Sequence, residues 1–98
     1  MAKDVVVTRN EDEHRWEARV GGELAGFAAY QLTDELVVFT HTEVDPDAGR
    51  SGLGGTLVRS ALDEVRGRGG KVLPLCPFVR GWIERHPEYA DLVVPTGS

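Results

Sequence analysis

Apolar residues in this chain follow two periods, one in each half. Trp16, Ala18 and Val20 alternate with Glu17 and Arg19. Period two predicts a strand with one buried face. Val5-Val6-Val7 is short and β-branched and predicts an earlier strand, set off by the polar turn Asn10 to Glu13. Gly21-Gly22 is a two-residue hairpin signal. Leu24 to Leu32 predicts a third strand, Thr33-Asp34 a tight turn and Glu35 to Val44 a fourth strand. Three short connections in a row imply an antiparallel meander.

In the second half the period lengthens. Leu53, Leu57, Val58, Ala61, Leu62 and Val65 recur at helical spacing, with Arg59, Ser60, Asp63, Glu64 and Arg66 opposite them. The helix proper is expected over Leu57 to Arg68, stopped by Gly67, Gly69 and Gly70. Lys71 to Cys76 predicts a fifth strand, reached by a crossover helix and therefore parallel to the fourth. Pro77 suits the first turn of a second helix with the apolar face Phe78, Val79, Trp82 and Ile83. His86-Pro87 ends it, and Glu88 to Leu92 adds one more turn. The expected fold class is α+β: a mixed sheet in which a four-stranded antiparallel meander precedes a βαβ unit, then a C-terminal helix.

Composition bounds what such a domain does. The 98 residues make one domain, its core at about 4–92, with 41% hydrophobic and 28% charged residues. A net charge of -5 provides no basic surplus for nucleic acid. It still permits one phosphorylated small molecule held by backbone amides. A lone cysteine excludes an internal disulfide, and with no signal-like N-terminus a cytoplasmic location is expected. No apolar run approaches the roughly 20 residues needed to span a membrane. His14 and His86 have no partner at ligand spacing, so no metal site is expected. Exposed sheet edges offer a route to a homodimer.

The stretch Gly49-Arg50-Ser51-Gly52-Leu53-Gly54-Gly55-Thr56 joins the fourth strand to the first helix. A Gly-rich turn before a helix N-terminus is an anion site. Its amides point outward, and the helix dipole adds roughly half a positive charge. A P-loop fails here, because Gly55 stands where that motif needs lysine. A dinucleotide fingerprint fails too, because Leu57 occupies the third glycine position and the sheet opens as a meander.

The order of elements, with Val44-Asp45-Pro46 leading into Arg50-Ser51-Gly52-Leu53-Gly54, resembles the GNAT superfamily of acyl-CoA-dependent N-acetyltransferases. Phe39-Thr40-His41-Thr42-Glu43-Val44, Pro74-Leu75-Cys76-Pro77-Phe78-Val79 and Ile83 to Tyr89 look like signatures of its small single-domain, YjdJ-like members. The resemblance runs from about Trp16 to Leu92. It implies acetyl-CoA as co-substrate, with its pyrophosphate on the amides of Arg50, Ser51, Gly52, Leu53, Gly54, Gly55 and Thr56. It also implies a pantetheine arm lying along Thr42 to Val44 in the splay between strands four and five. The chain departs from the pattern at Gly49, where the superfamily usually carries Gln or Arg. It also has no room at Asn10 to Glu13 for the helices that commonly shape the acceptor pocket, so the amine substrate stays open.

Acetyl transfer needs a neutral amine, a polarised thioester and a proton for the leaving thiolate. His41 and Glu43, two apart on strand four and expected on the face of Val37 and Phe39, read as candidate bases or, Glu43 above all, as half-exposed strand residues with no catalytic part. Cys76 stands at the end of strand five before a helix N-terminus, which favours a thiolate. It reads as nucleophile, as proton donor to CoA, or as a small core thiol. Tyr89 is a candidate acid, with packing on the sheet edge as its other reading. Phe78, Trp82 and Trp16 read as core, and Arg80 and Arg85 as solvated helix arginines, with contact to the 3′-phosphate of CoA as their other reading. The expected function is transfer of an acetyl group to an amine. The alternatives are a non-catalytic acyl-CoA-binding or sensing module, and a plain interaction domain that has lost the ligand.

Overall fold

The computed structural model describes residues 5–34, 36–45 and 52–94. Strands β1 (Val5–Asn10), β2 (Arg15–Val20), β3 (Glu23–Thr33) and β4 (Leu36–Val44) precede helix α1 (Leu53–Gly67). Strand β5 (Lys71–Pro74), helix α2 (Pro77–Arg85) and a 3-10 helix (Pro87–Leu92) follow. The sheet order is β1-β2-β3-β4-β5. Every pairing is antiparallel except β4 with β5, which is parallel. This is the expected meander followed by a βαβ unit.

Several boundaries differ from the periodicity. Helix α1 begins at Leu53 rather than Leu57, so Gly54, Gly55 and Thr56 belong to its first turn. β5 stops at Pro74, because Leu75 N–H turns back to Leu73 O at 3.1 Å and ends the ladder. Phe78 is 41% exposed and is not core, although its spacing matches Val79, Trp82 and Ile83. A helix of nine residues has an apolar stripe wider than the surface it buries.

One core joins both helices to one face of the sheet. Trp16, Ala18, Ala28, Tyr30, Phe39 and Val72 contribute from the strands, Leu57, Leu62 and Val65 from α1, and Val79 and Trp82 from α2. Trp16 Nε1–H, which burial would otherwise leave unpaired, donates to Glu64 Oε1 at 3.0 Å. On the other face of the sheet His41 and Glu43 of β4 are exposed, whereas Glu17 of β2 is buried. No described helix is long and apolar enough to cross a membrane.

Candidate functional site

The cleft is built where β4 outruns β5. The last β4–β5 partners are Phe39 and Pro74, and β4 continues from Thr40 to Val44 with no β5 partner. Cys76 N–H still reaches Phe39 O at 2.9 Å, which marks the bottom of the splay. Two helix N-termini meet at its mouth. α1 starts from Gly52 and α2 from Cys76 with Pro77 at its first position.

At α1, Gly52 is the N-cap with φ 94°, in the left-handed region that favours glycine. The first helical bond runs from Thr56 N–H to Gly52 O at 2.9 Å. That leaves the N–H groups of Leu53, Gly54 and Gly55 without helical acceptors. Among the described residues no side chain caps this end, and no acidic residue sits in its first turn. Among the described residues nothing compensates the positive end, as an anion site requires. Gly54 and Gly55 serve a second purpose that sequence reasoning missed. A Cβ on Gly54 would lie 2.6 Å from Phe78 Cζ, and one on Gly55 3.1 Å from Trp82 Nε1. These glycines let α1 close onto α2. Arg50 and Ser51, expected to complete the anion site, and Gly49, its departure from the pattern, lie outside the described residues.

A β-bulge sorts the other candidates. Tyr30 pairs with Phe39 and Ala29 with His41, so Thr40 has no partner. The extra residue inverts the alternation along β4. Thr42, opposite Ala28, now shares the covered face with Phe39, opposite Tyr30. His41 and Glu43, opposite Ala29 and Phe27, fall on the open face. The expectation that they share the face of Val37 and Phe39 is thus corrected.

On the covered side, Cys76 is 4% exposed and its Sγ lies 3.3 Å from Thr42 Oγ1. On the open side, His41 Nε2 lies 2.8 Å from Glu43 Oε2, with the two side chains 59% and 63% exposed. Phe27 flanks this pair, its ring centroid 6.1 Å from that of His41. At the base of the pair, Gly26 lets β3 approach β4. A Cβ there would stand 2.8 Å from Glu43 O.

Two further polar groups stand near but apart. Glu17, expected on a solvated face, is only 3% exposed. Its carboxylate accepts from Arg15 Nε at 2.7 Å, Arg19 Nη2 at 3.0 Å and Asn10 Nδ2 at 3.1 Å. The Arg15 hydrogen bond, opposed by burial and helped by Asn10 and Arg19, holds it below the ordinary carboxylate range. The flanking arginines two residues away on each side were the signal for this pairing. Tyr89 is not on the sheet edge. Its hydroxyl donates to Asp63 Oδ1 on α1 at 2.6 Å and accepts from Arg59 Nη1 at 3.2 Å. The Asp63 bond and burial push the phenol above its ordinary value, so it is a clamp between α1 and the 3-10 helix. Among the described residues no group of three metal-ligating side chains converges.

The fold recurs in known proteins. The profile of the GCN5-related N-acetyl-transferase family matches residues 15–92. Among solved structures, a GCN5-like protein from Staphylococcus aureus shares 17% identity over 91% of this chain and 87% of its own, with TM-score 0.69. The ribosomal-protein-S18-alanine N-acetyltransferase of Escherichia coli shares 25% identity at TM-score 0.63, covering 74% of this chain and 50% of its own. A GNAT family acetyltransferase from Brucella melitensis, solved with acetyl-CoA, shares 23% identity at TM-score 0.59 with the same coverages of 74% and 50%. This chain thus spans half the length of the latter two. A comparison with curated proteins gives no match.

Proposed function

Because the chain belongs to the GCN5-related N-acetyltransferase family, we propose that it moves an acetyl group from acetyl-CoA to an amine by direct attack, within the small YjdJ-like branch of the family. The carrying observation is the unpaired Thr40–Val44 edge of β4 opening between two helix N-termini. An amide-rich pantetheine arm adds to such an edge like a short strand, along Thr42 to Val44. The pyrophosphate then lies on the free amides of Leu53, Gly54 and Gly55, with Gly52 and Thr56 at either end and Arg50 and Ser51 before them. A relative of this fold is solved with acetyl-CoA, which supports the choice of donor.

The bulge gives the reaction two sides. The amine approaches from the open face, where the His41–Glu43 pair takes the proton of the incoming ammonium directly or through water. The neutral nitrogen bonds to the thioester carbon and a backbone N–H of β4 stabilises the oxyanion. The C–S bond breaks on the covered side, where Thr42 and Cys76 offer hydroxyl and thiol protons to the departing thiolate. Cys76 as an acyl-carrying nucleophile needs its sulfur to leave Thr42, so direct transfer is the simpler route.

Acetyl-CoA should raise the melting temperature, since a ligand at 100 times its dissociation constant stabilises by about 2.7 kcal/mol. An amine panel should then release free thiol. Absence of the thermal shift would overturn acyl-CoA binding. A shift with no thiol release from any amine would leave the non-catalytic binding module, which the exposure of His41 and Glu43 favours.

A further inference from the structure

A cavity of about 660 Å³ opens beside β5 and α2, away from the α1 amides. Leu73, Ile83, Val93 and Val94 line its apolar part, and Leu75 carries its wall to Cys76. A docking strand does not fit it. Val94 N–H donates to Val72 O at 3.0 Å, and Val72 bridges Val93 in parallel. In a parallel ladder the next β5 residue facing that side is Pro74, which has no N–H to offer. The groove therefore suits a small molecule.

Its charges say which. Arg80 is one helical turn beyond Cys76, its N–H bonded to Cys76 O at 3.0 Å, and Glu84 is one turn further. Among the described residues neither side chain is paired with an opposite charge. Leu73, partner of Val38, faces the same open side of the sheet as His41 and Glu43.

Resting on the acetyl-transfer reading, we propose that this cavity holds the acceptor and that the acceptor is an apolar amino carboxylate. Its hydrocarbon side chain occupies the Leu73–Ile83–Val93–Val94 part, replacing water there. Its carboxylate takes the Arg80 guanidinium, whose planar fork matches that group. The amine, on the carbon next to the carboxylate, is then directed past Leu73, on the open side shared with His41 and Glu43, toward the thioester. Glu84, at the far end, repels acidic side chains. The ammonium first loses a proton to the His41–Glu43 pair, and the nitrogen then gains the acetyl carbon as the C–S bond breaks. The thiolate takes a proton from Cys76, which regains one from the nitrogen, and the products are an N-acetyl amino acid and CoA.

Methyl NMR without any acetyl-CoA tests the site by itself. Leucine should shift the methyl signals of Leu73, Ile83, Val93 and Val94. Isopentylamine, the same body without the carboxylate, should bind at least fivefold more weakly. Arg80→Gln, at an exposed helix position, should lower leucine affinity at least fivefold and leave the acetyl-CoA thermal shift unchanged. Thiol release should likewise favour leucine over glutamate, and Arg80→Gln should raise KM for leucine more than it lowers kcat. Leucine that shifts none of these methyls, or that binds Arg80→Gln as well as the parent, overturns the proposal. So does loss of the acetyl-CoA shift in Arg80→Gln, which assigns the guanidinium to CoA. Concentration-dependent shifts of the same methyls without ligand, with a dimer mass, would assign the cavity to a second copy instead. Failure of acetyl-CoA to bind the parent protein is a separate result, because the leucine titration does not use it.

Discussion

Thr42 Oγ1 and Cys76 Sγ stand 3.3 Å apart, although the residues are separated by 34 positions in sequence. The contact bridges the splay between β4 and the start of α2. If the thiol protonates the leaving CoA, Cys76→Ala lowers kcat on the order of 100-fold, the usual worth of a positioned acid. Thr42→Val has a smaller effect, because it leaves the thiol in place. Far-UV circular dichroism and the melting temperature show whether the variants still fold. Unchanged kinetics in a folded Cys76→Ala protein would remove the thiol from the chemistry.

His41 and Glu43 stand on the open face, apart from the core. Glu43→Gln and His41→Ala should therefore each lower kcat/KM about 10- to 100-fold through lost proton transfer. Stability should change by less than about 0.5 kcal/mol, as for exposed polar positions. Acetyl-CoA affinity, measured by calorimetry, should stay within about twofold of the parent. An equal loss of acetyl-CoA affinity would move the pair from the proton path to the donor site.

Two perturbed groups outside the cleft, Glu17 and Tyr89, give opposite pH limbs. Glu17, lowered chiefly by its Arg15 hydrogen bond, contributes stability above the ordinary carboxylate range, lost as pH falls through its depressed folded value. Tyr89, raised chiefly by its Asp63 hydrogen bond, contributes stability below the ordinary phenol value, lost as pH rises through its elevated folded value. Glu17→Gln should flatten the acid limb of melting temperature against pH, and Tyr89→Phe the alkaline limb. Tyr89→Phe should also cost about 1 kcal/mol near neutrality, the net worth of a hydrogen bond. Parallel curves for variant and parent would contradict these assignments.

Gly26 and Gly54 both meet a neighbour where a Cβ would go, but with different consequences. Gly26→Ala drives a Cβ to 2.8 Å from backbone Glu43 O, which cannot move without parting β3 from β4. Urea unfolding should show a loss of about 2 kcal/mol. Gly54→Ala meets the outer edge of the Phe78 ring, with Cζ at 2.6 Å and Cε2 at 3.2 Å, in a half-exposed side chain that can swing aside. Its stability should stay within about 1 kcal/mol of the parent, since Ala also favours the helix. The reverse ranking would show that Phe78 is held more firmly than its exposure implies.

The meander and crossover were legible because each depends on local signals. Period two sets a strand's buried face, Gly21-Gly22 turns a hairpin, and Pro77 starts a helix. Less legible was where β4 changes face. Nothing in Leu36 to Val44 itself marks Thr40 as an extra residue, since a bulge is defined by the partner strand. The same holds for Phe78, which fits a core stripe but stays 41% exposed beside Gly54, and for Gly54 and Gly55. Those two read as room for a ligand and prove also to be room for α2.

By itself, the sequence determined the order of elements, a Gly-rich turn leading into a helix N-terminus after β4, and a lone cysteine between the fifth strand and the second helix. All three follow from residues adjacent in the chain, where propensity and periodicity act. Only the tertiary structure decided which residues meet. Register placed Thr42 against Cys76 and sent His41 and Glu43 to the other side. Those contacts depend on pairing across strands and packing between helices, and one extra residue in one strand was enough to reassign them.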